Sequence, residues 1–127
     1  MKDTILVLED DDDIRTVLAD LLREAGFAAV QADHNGHLPE LRGVGLVLTD
    51  LPKTADGYSS GCARDWVAAV RDRYLAPVIV ITAHSEAARD DMLSTIAATV
   101  ITKPFDLDDL VAHIRTLGGS STSDDAR

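Results

Sequence analysis

Carboxylate, hydroxyl and ammonium side chains each stand at the end of a short apolar run in this sequence. Glu9 and Asp10 follow "TILVL", Asp50 follows "LVLT", Thr82 closes "VIVIT", and Lys103 follows "TVIT". Carboxylates held a few ångströms apart repel one another, and burial raises that cost unless a cation or protons neutralise them. Carboxylate oxygens with room for water suit Mg²⁺, which favours an octahedral shell of oxygen ligands. The acids therefore predict a magnesium site where they meet.

A cation, a lysine and a hydroxyl at one place would bind a phosphoryl group. The metal and Lys103 would balance the charge of the phosphoryl oxygens, and the Thr82 hydroxyl would donate a hydrogen bond to one of them. A carboxylate can itself attack phosphorus and accept the group. Asp50 is the best candidate for this nucleophile, because it stands singly while Glu9 and Asp10 can hold the ion.

The elements that must position these residues alternate between apolar runs and stretches of helical period. Five runs predict β-strands, and several are apolar throughout, as in a parallel sheet covered on both faces. The five runs are "TILVL", "AAVQA", "LVLT", "VIVIT" and "TVIT". Strict alternation favours an α/β, flavodoxin-like, doubly wound five-stranded parallel sheet of order 2-1-3-4-5, with its ligand crevice beyond the carboxyl ends of strands 1 and 3. All the candidate residues would then lie at one edge of the sheet.

Helix signals differ along the chain. The clearest helix is predicted after the first acidic cluster, where an Asp can cap its start and Gly26 can end it. Its inward face would carry Ile14, Val17, Leu18, Leu21, Leu22 and Ala25. Three more helices are predicted in "RDWVAAVRDRY", in "SEAARDDMLSTI" with Ser85 as cap, and after Asp106. Only Pro39 to Arg42 is available between the second and third strands, so the helix there should be shortened or missing.

Length and composition limit the classes of function. A chain of 127 residues with 46% apolar residues predicts one domain over residues 1–117, followed by a flexible, acidic and Ser-rich tail over 118–127. The net charge of −10 argues against nucleic-acid binding by this chain. A single cysteine, Cys62, and no apolar run of about 20 residues or signal peptide indicate a cytoplasmic protein that does not enter a membrane.

Four short motifs in a fixed order resemble those of a known family. The set "VLED", "LTD", "TA" and "KPF" strongly resembles the receiver domain of two-component response regulators, of the chemotaxis-regulator type, over residues 4 to about 117. The resemblance implies a phosphoacceptor domain that takes a phosphoryl group from a sensor histidine kinase, or from a histidine phosphotransfer protein, and then switches its interaction with a downstream protein. Such a domain is a signalling module rather than a turnover enzyme.

The resemblance also implies individual roles. Asp50 would accept the phosphoryl group, Thr82 would contact it and Lys103 would pair with it. The Mg²⁺ ligands would be Glu9, Asp10, Asp50 and the backbone carbonyl of Pro52. The peptide bond between Lys103 and Pro104 would be cis.

Two departures from the family pattern bear on mechanism. The loop from Pro52 to Arg64 is longer than usual, and Val100 stands where the family often has Tyr or Phe. We expect this loop to report phosphorylation in place of that aromatic, unless the fourth helix shifts without it. His84, two residues after Thr82, could affect the site or simply begin a helix.

Two alternative functions remain at this point. One is a receiver-like module that binds partners without phosphorylation, which the altered loop leaves open. The other is an Mg²⁺-dependent phosphohydrolase with an Asp nucleophile in a D-x-D pattern. The run "LEDDDDIR" offers that pattern, but no hydroxyl residue follows until Thr16, and Asp50 would have no task.

Overall fold

The chain folds around one parallel β-sheet. The computed structural model of the protein describes residues 4–9, 11–32, 38–51, 57–103 and 105–117. The strands are β1 Thr4–Leu8, β2 Ala28–Ala32, β3 Val44–Thr49, β4 Val78–Thr82 and β5 Thr99–Thr102. They lie in the order β2-β1-β3-β4-β5, and every pair is parallel. The predicted α/β fold, its strand order and all five strands are confirmed.

Helices cover both faces of the sheet. They are α1 Asp12–Glu24, α2 Ser60–Tyr74, α3 Ser85–Ala88, α4 Asp91–Ser94 and α5 Leu107–Thr116. One buried cluster joins α1 and α5 to one face of the sheet, and a second joins α2, α3 and α4 to the opposite face. Residues 38–43, which precede β3, lie in no helix. The described part of this connection therefore agrees with the prediction of a shortened element.

Helix α1 begins as the sequence predicts, but one side chain on its predicted inward face is exposed. Asp11 caps the helix by accepting hydrogen bonds from the backbone N–H groups of Asp13 and Ile14. Leu18 and Leu22 are buried, whereas Val17 is 55% exposed. Successive side chains are about 100° apart around a helix, so Val17 lies at the edge of the face that Leu18 buries. The inward placement of Val17 was wrong.

The predicted fourth helix is divided in two. His84 stands at the N-cap of α3, so the prediction of Ser85 as cap was wrong. Asp90 follows α3 and caps α4, because its carboxylate accepts hydrogen bonds from the N–H groups of Met92 and Leu93. A short acidic side chain competes with helical backbone hydrogen bonds in this way, and it therefore favours a new cap over a continuous helix.

Helix α2 begins earlier than predicted. The Ser59 hydroxyl accepts a hydrogen bond from the Cys62 N–H and caps the helix, so Ser60 to Arg64 are helical rather than part of the preceding loop. The long loop is thus shorter at its end than the sequence suggested.

Some of the predictions concern residues that lie outside the described part of the chain. These residues are Asp10, Pro52 to Asp56, Pro104 with its predicted cis bond, and the tail over 118–127.

Candidate functional site

Glu9 follows β1 and is buried at the carboxyl edge of the sheet. Its side chain is only 3% exposed. The backbone around it is held by Arg15 of α1, whose guanidinium donates a hydrogen bond of 2.7 Å to the Glu9 carbonyl. The same guanidinium pairs with the Asp12 carboxylate. The start of α1 therefore holds the backbone that carries the Glu9 carboxylate.

Asp50 follows β3, the strand next to β1, and lies beside Glu9. Its backbone N–H donates to the carbonyl of Leu8 at 3.1 Å, which joins the two strand ends, and the residue is 8% exposed. The Thr49 hydroxyl donates to the Asp50 carbonyl at 2.7 Å and accepts a 2.9 Å hydrogen bond from the Trp66 indole N–H. Helix α2 thus supports the backbone of Asp50 from behind.

Thr82 and Lys103 close the site from β4 and β5. The backbone N–H of Lys103 donates to the Thr82 carbonyl at 2.7 Å, so the two strand ends stay together. The Thr82 hydroxyl accepts a hydrogen bond of 3.1 Å from the backbone N–H of His84. The Lys103 ammonium crosses the edge of the sheet and lies 3.3 Å from the Glu9 carboxylate.

These side chains line a single cavity at the carboxyl edge of the sheet. Its volume is about 180 Å³, far above the roughly 10–15 Å³ that one water molecule needs. The lining residues are Glu9, Asp11, Ile14, Asp50, Leu51, Thr82, Ala83, His84 and Lys103. The cavity can therefore admit a small ion together with water molecules.

Electrostatics in the cavity favour a further cation. Burial raises the pKa of the Glu9 carboxyl from 4.5 to about 7, the charge of Asp50 and a hydrogen bond to it add to the rise, and Lys103 opposes it. One ammonium therefore does not compensate two neighbouring buried carboxylates. Oxygen donors with excess negative charge fit Mg²⁺. Within the described residues no group of three His, Cys, Asp or Glu side chains gathers to hold a metal, and Asp10 lies outside that part of the chain.

The structure brings together four of the predicted site residues: Glu9, Asp50, Thr82 and Lys103. Asp10 and Pro52 lie outside the described residues. His84, which the sequence left open between two roles, both lines the cavity and begins α3. Val100 is half-buried and packs on the face of the sheet that α2 covers.

Sequence reasoning missed several supporting residues. Thr49 ends the predicted strand "LVLT" and Trp66 lies in the predicted helix "RDWVAAVRDRY", and together they form the hydrogen-bonded chain that ends at the Asp50 carbonyl. A buried hydroxyl beside the candidate nucleophile was the available signal for Thr49. Tyr58 also went unnoticed: its hydroxyl donates to Asp90 at 2.6 Å, and its ring lies 5.8 Å from that of His84. Nothing in the spacing of Tyr58 and Asp90 indicates that they meet.

Comparison with known proteins assigns the family. The family model for the response regulator receiver domain matches residues 5–115. The chain belongs to this family. This receiver domain is 34% identical over 128 residues to the sensory transduction protein RegX3 of Mycolicibacterium smegmatis, covering 97% of the chain and 54% of that protein. It is 33% identical over 121 residues to the transcriptional regulatory protein PdtaR of Mycobacterium tuberculosis, covering 87% and 54%. The receiver domain spans about half the length of these curated relatives.

Solved structures share the fold of this receiver domain. A response regulator receiver protein from Pseudomonas putida superimposes with a TM-score of 0.72 at 22% identity, covering 91% of this chain and 98% of that one. The response regulator TrrA from Thermotoga maritima, solved in complex with Mg²⁺ and beryllium fluoride, gives 0.68 at 25% identity, with 92% and 99% covered. Among the residues that the structure describes, no helix is both long and apolar enough to cross a membrane.

Proposed function

We propose that this receiver domain accepts a phosphoryl group on Asp50, in an Mg²⁺-dependent transfer from the phosphohistidine of a sensor kinase or a histidine phosphotransfer protein. The observation that carries the proposal is the shared cavity, in which a buried Asp50 meets a second carboxylate, a hydroxyl and an ammonium from three other strand ends. Each of these groups has a task in phosphoryl transfer. The phosphorylated domain would then change its interaction with a downstream protein.

The side chains divide the chemistry as follows. An Asp50 carboxylate oxygen attacks phosphorus, the bond between phosphorus and the donor histidine nitrogen breaks, and the histidine leaves. The Thr82 hydroxyl donates a hydrogen bond to a phosphoryl oxygen. The Lys103 ammonium, which lies 3.3 Å from the Glu9 carboxylate in this structure, balances the negative charge of the phosphoryl group. Two hydrogen bonds hold the backbone of the nucleophile in place: the Thr49 hydroxyl donates to the Asp50 carbonyl, and the Asp50 N–H donates to the Leu8 carbonyl.

Magnesium fits the site by its donor set. We propose Glu9, Asp10, Asp50 and the carbonyl of Pro52 as its protein ligands, with water in the remaining positions. When bound, the ion would neutralise the carboxylates and the incoming phosphoryl oxygens. The raised pKa of Glu9 supports this, because it reports excess negative charge in a buried place. The Mg²⁺ and beryllium fluoride bound by TrrA are consistent with the same chemistry.

Labelling by a small phosphodonor tests the proposal. With acetyl phosphate and Mg²⁺, the protein should gain one acid-stable, base-labile phosphoryl group, and Asp50→Asn should gain none. The matched control is Asp72→Asn on the exposed face of α2, which should be labelled normally. Chelation of Mg²⁺ should abolish labelling.

Three results would contradict the assignment. Label that survives in Asp50→Asn would place the acceptor elsewhere. No label in any variant, with the fold intact, would favour a module that binds its partners without phosphorylation. Release of inorganic phosphate from many donor molecules per protein, without a stable labelled species, would instead favour a phosphohydrolase.

A further inference from the structure

A hydrogen-bonded pair joins two loops beside the site. Tyr58, which precedes α2, donates its hydroxyl to the Asp90 carboxylate at 2.6 Å, and Asp90 uses its other oxygen to cap α4. The pKa of Asp90 is lowered, first by a hydrogen bond from Ser60 and then by that from Tyr58, while burial and Asp90 raise the pKa of Tyr58. The phenol is therefore the donor and the ionised carboxylate the acceptor.

The Tyr58 ring connects this pair to the cavity. Its centroid lies 5.8 Å from that of the His84 ring, with the two planes tilted by 43°. His84 in turn lines the cavity and donates its backbone N–H to the Thr82 hydroxyl. The path from Asp90 to the cavity thus consists of direct contacts.

We propose that Tyr58 and Asp90 are positioning residues for the phosphoryl chemistry: their hydrogen bond holds the Tyr58 ring against His84 and keeps that wall of the cavity closed to water. The inference rests on the proposed function of Asp50. Loss of the phosphoryl group needs a water molecule to attack phosphorus. The bond to the Asp50 oxygen breaks, and a carboxylate, inorganic phosphate and a proton are released. A looser His84 admits that water more readily.

The matched pair Tyr58→Phe and Tyr74→Phe tests the inference. Tyr74 also donates a hydrogen bond of 2.6 Å, to the Pro39 carbonyl, but it does not line the cavity. Each protein is labelled with acetyl phosphate and Mg²⁺, the donor is removed, and loss of the phosphoryl group is followed with time. We expect Tyr58→Phe to shorten the phosphoryl lifetime by about threefold or more, and Tyr74→Phe to leave it unchanged. Thermal midpoints of the two variants should fall by similar amounts.

A second pair separates the hydrogen bond from helix capping. Asp90→Ser keeps a capping oxygen and lacks the oxygen that accepts from Tyr58. Asp106→Ser makes the same change at the cap of α5, where the carboxylate accepts from the Asp108 N–H. Asp90→Ser also loses the hydrogen bond from Ser60, so it should shorten the lifetime at least as much as Tyr58→Phe. The variant that carries both changes should shorten it no further than Asp90→Ser alone, and Asp106→Ser should leave it unchanged.

Several results would overturn the inference. Unchanged lifetimes in Tyr58→Phe and Asp90→Ser would do so while leaving the proposed function intact. Equal shortening in Tyr74→Phe or Asp106→Ser would reduce the effect to general stability. Absence of label on Asp50 in the unaltered protein would overturn the proposed function, and this inference with it.

Discussion

Glu9 carries an electrostatic conflict at the edge of the sheet. Burial, the charge of Asp50 and a hydrogen bond to it raise the pKa of its carboxyl from 4.5 to about 7, against the attraction of Lys103. The folded protein therefore binds a proton at Glu9 more tightly than the unfolded chain does. Its contribution to the free energy of unfolding is full below pH 4.5 and is lost as pH rises through about 7. Without a divalent cation, the fold should weaken across this range.

Glu9→Gln should remove this loss of unfolding free energy at high pH. In chelator at pH 8, we expect the variant to exceed the unaltered protein in free energy of unfolding by about 1–3 kcal/mol, and the difference to shrink toward pH 5. Urea unfolding at a series of pH values measures it. The exposed Glu24→Gln in α1 is the control and should follow the unaltered protein.

Magnesium extends the same test. Mg²⁺ should restore the stability of the unaltered protein at pH 8 and should do little for Glu9→Gln, because the variant lacks one of the three carboxylates proposed to bind the ion. If Glu9→Gln is less stable than the unaltered protein at pH 8 in chelator, the pairing with Lys103 outweighs the repulsion by Asp50, and the electrostatic reading of the site is wrong.

Sequence patterns could locate the polar residues of this candidate site but not their supports. Each lies at the end of an apolar strand: Thr82 is the last residue of β4, whereas Glu9, Asp50 and Lys103 follow β1, β3 and β5. The parallel topology alone brings such strand ends to one edge. Asp10 and Pro52 remain predictions. Tyr58 meets Asp90 across 32 positions of sequence through two irregular connections, and no periodicity governs such a contact.

Two segments that connect the strands are the candidates for reporting phosphorylation in this receiver domain. The sequence suggested that either the loop after Asp50 or the fourth helix reports phosphorylation. The structure joins them, because Tyr58 lies in the loop and Asp90 caps α4. We therefore expect the two candidate segments to respond to phosphorylation together.

Amide hydrogen exchange tests this coupling. We expect beryllofluoride with Mg²⁺ to change exchange in residues 57–59 and 83–97 together, because drawing the Thr82 hydroxyl toward a phosphoryl mimic frees the His84 N–H that now binds it. Residues 16–24 of α1 should not change and serve as the internal reference. In Tyr58→Phe the two segments should respond independently. A response confined to one segment in the unaltered protein would contradict the coupling.

Helix boundaries show why sequence prediction was less successful between the strands than within them. The three central strands, β1, β3 and β4, are largely buried on both faces, so their apolar composition predicts them directly. "SEAARDDMLSTI" has the composition of a helix, but the capping bonds of Asp90 divide it. "SSGCA" has the composition of a loop, yet Ser59 begins α2 there. In both segments one capping side chain, bonded to the backbone, outweighs the average helix propensity of the segment.

Two separate apolar clusters, one on each face of the shared sheet, form the core of the part of the molecule that the structure describes. Leu93 of α4 belongs to the cluster on the α2 side, and Leu110 of α5 to the cluster on the α1 side, and each side chain is fully buried. The five strands lie between them. A single domain of this size is expected to unfold in one cooperative transition, so loss at either cluster lowers the stability of both.

Truncating one leucine in each cluster tests that arrangement. Leu93→Ala and Leu110→Ala should each lower the free energy of unfolding by about 2–5 kcal/mol, because each leaves a cavity in packed surroundings. The double variant should lose the sum to within about 0.5 kcal/mol, since the two side chains share no cluster. Val17→Ala, at a position 55% exposed, is the control and should cost much less. Urea unfolding followed by far-ultraviolet circular dichroism gives all four values. A double variant that loses far less than the sum would mean that the first truncation already loosens the opposite face, and two transitions would mean that the clusters unfold separately.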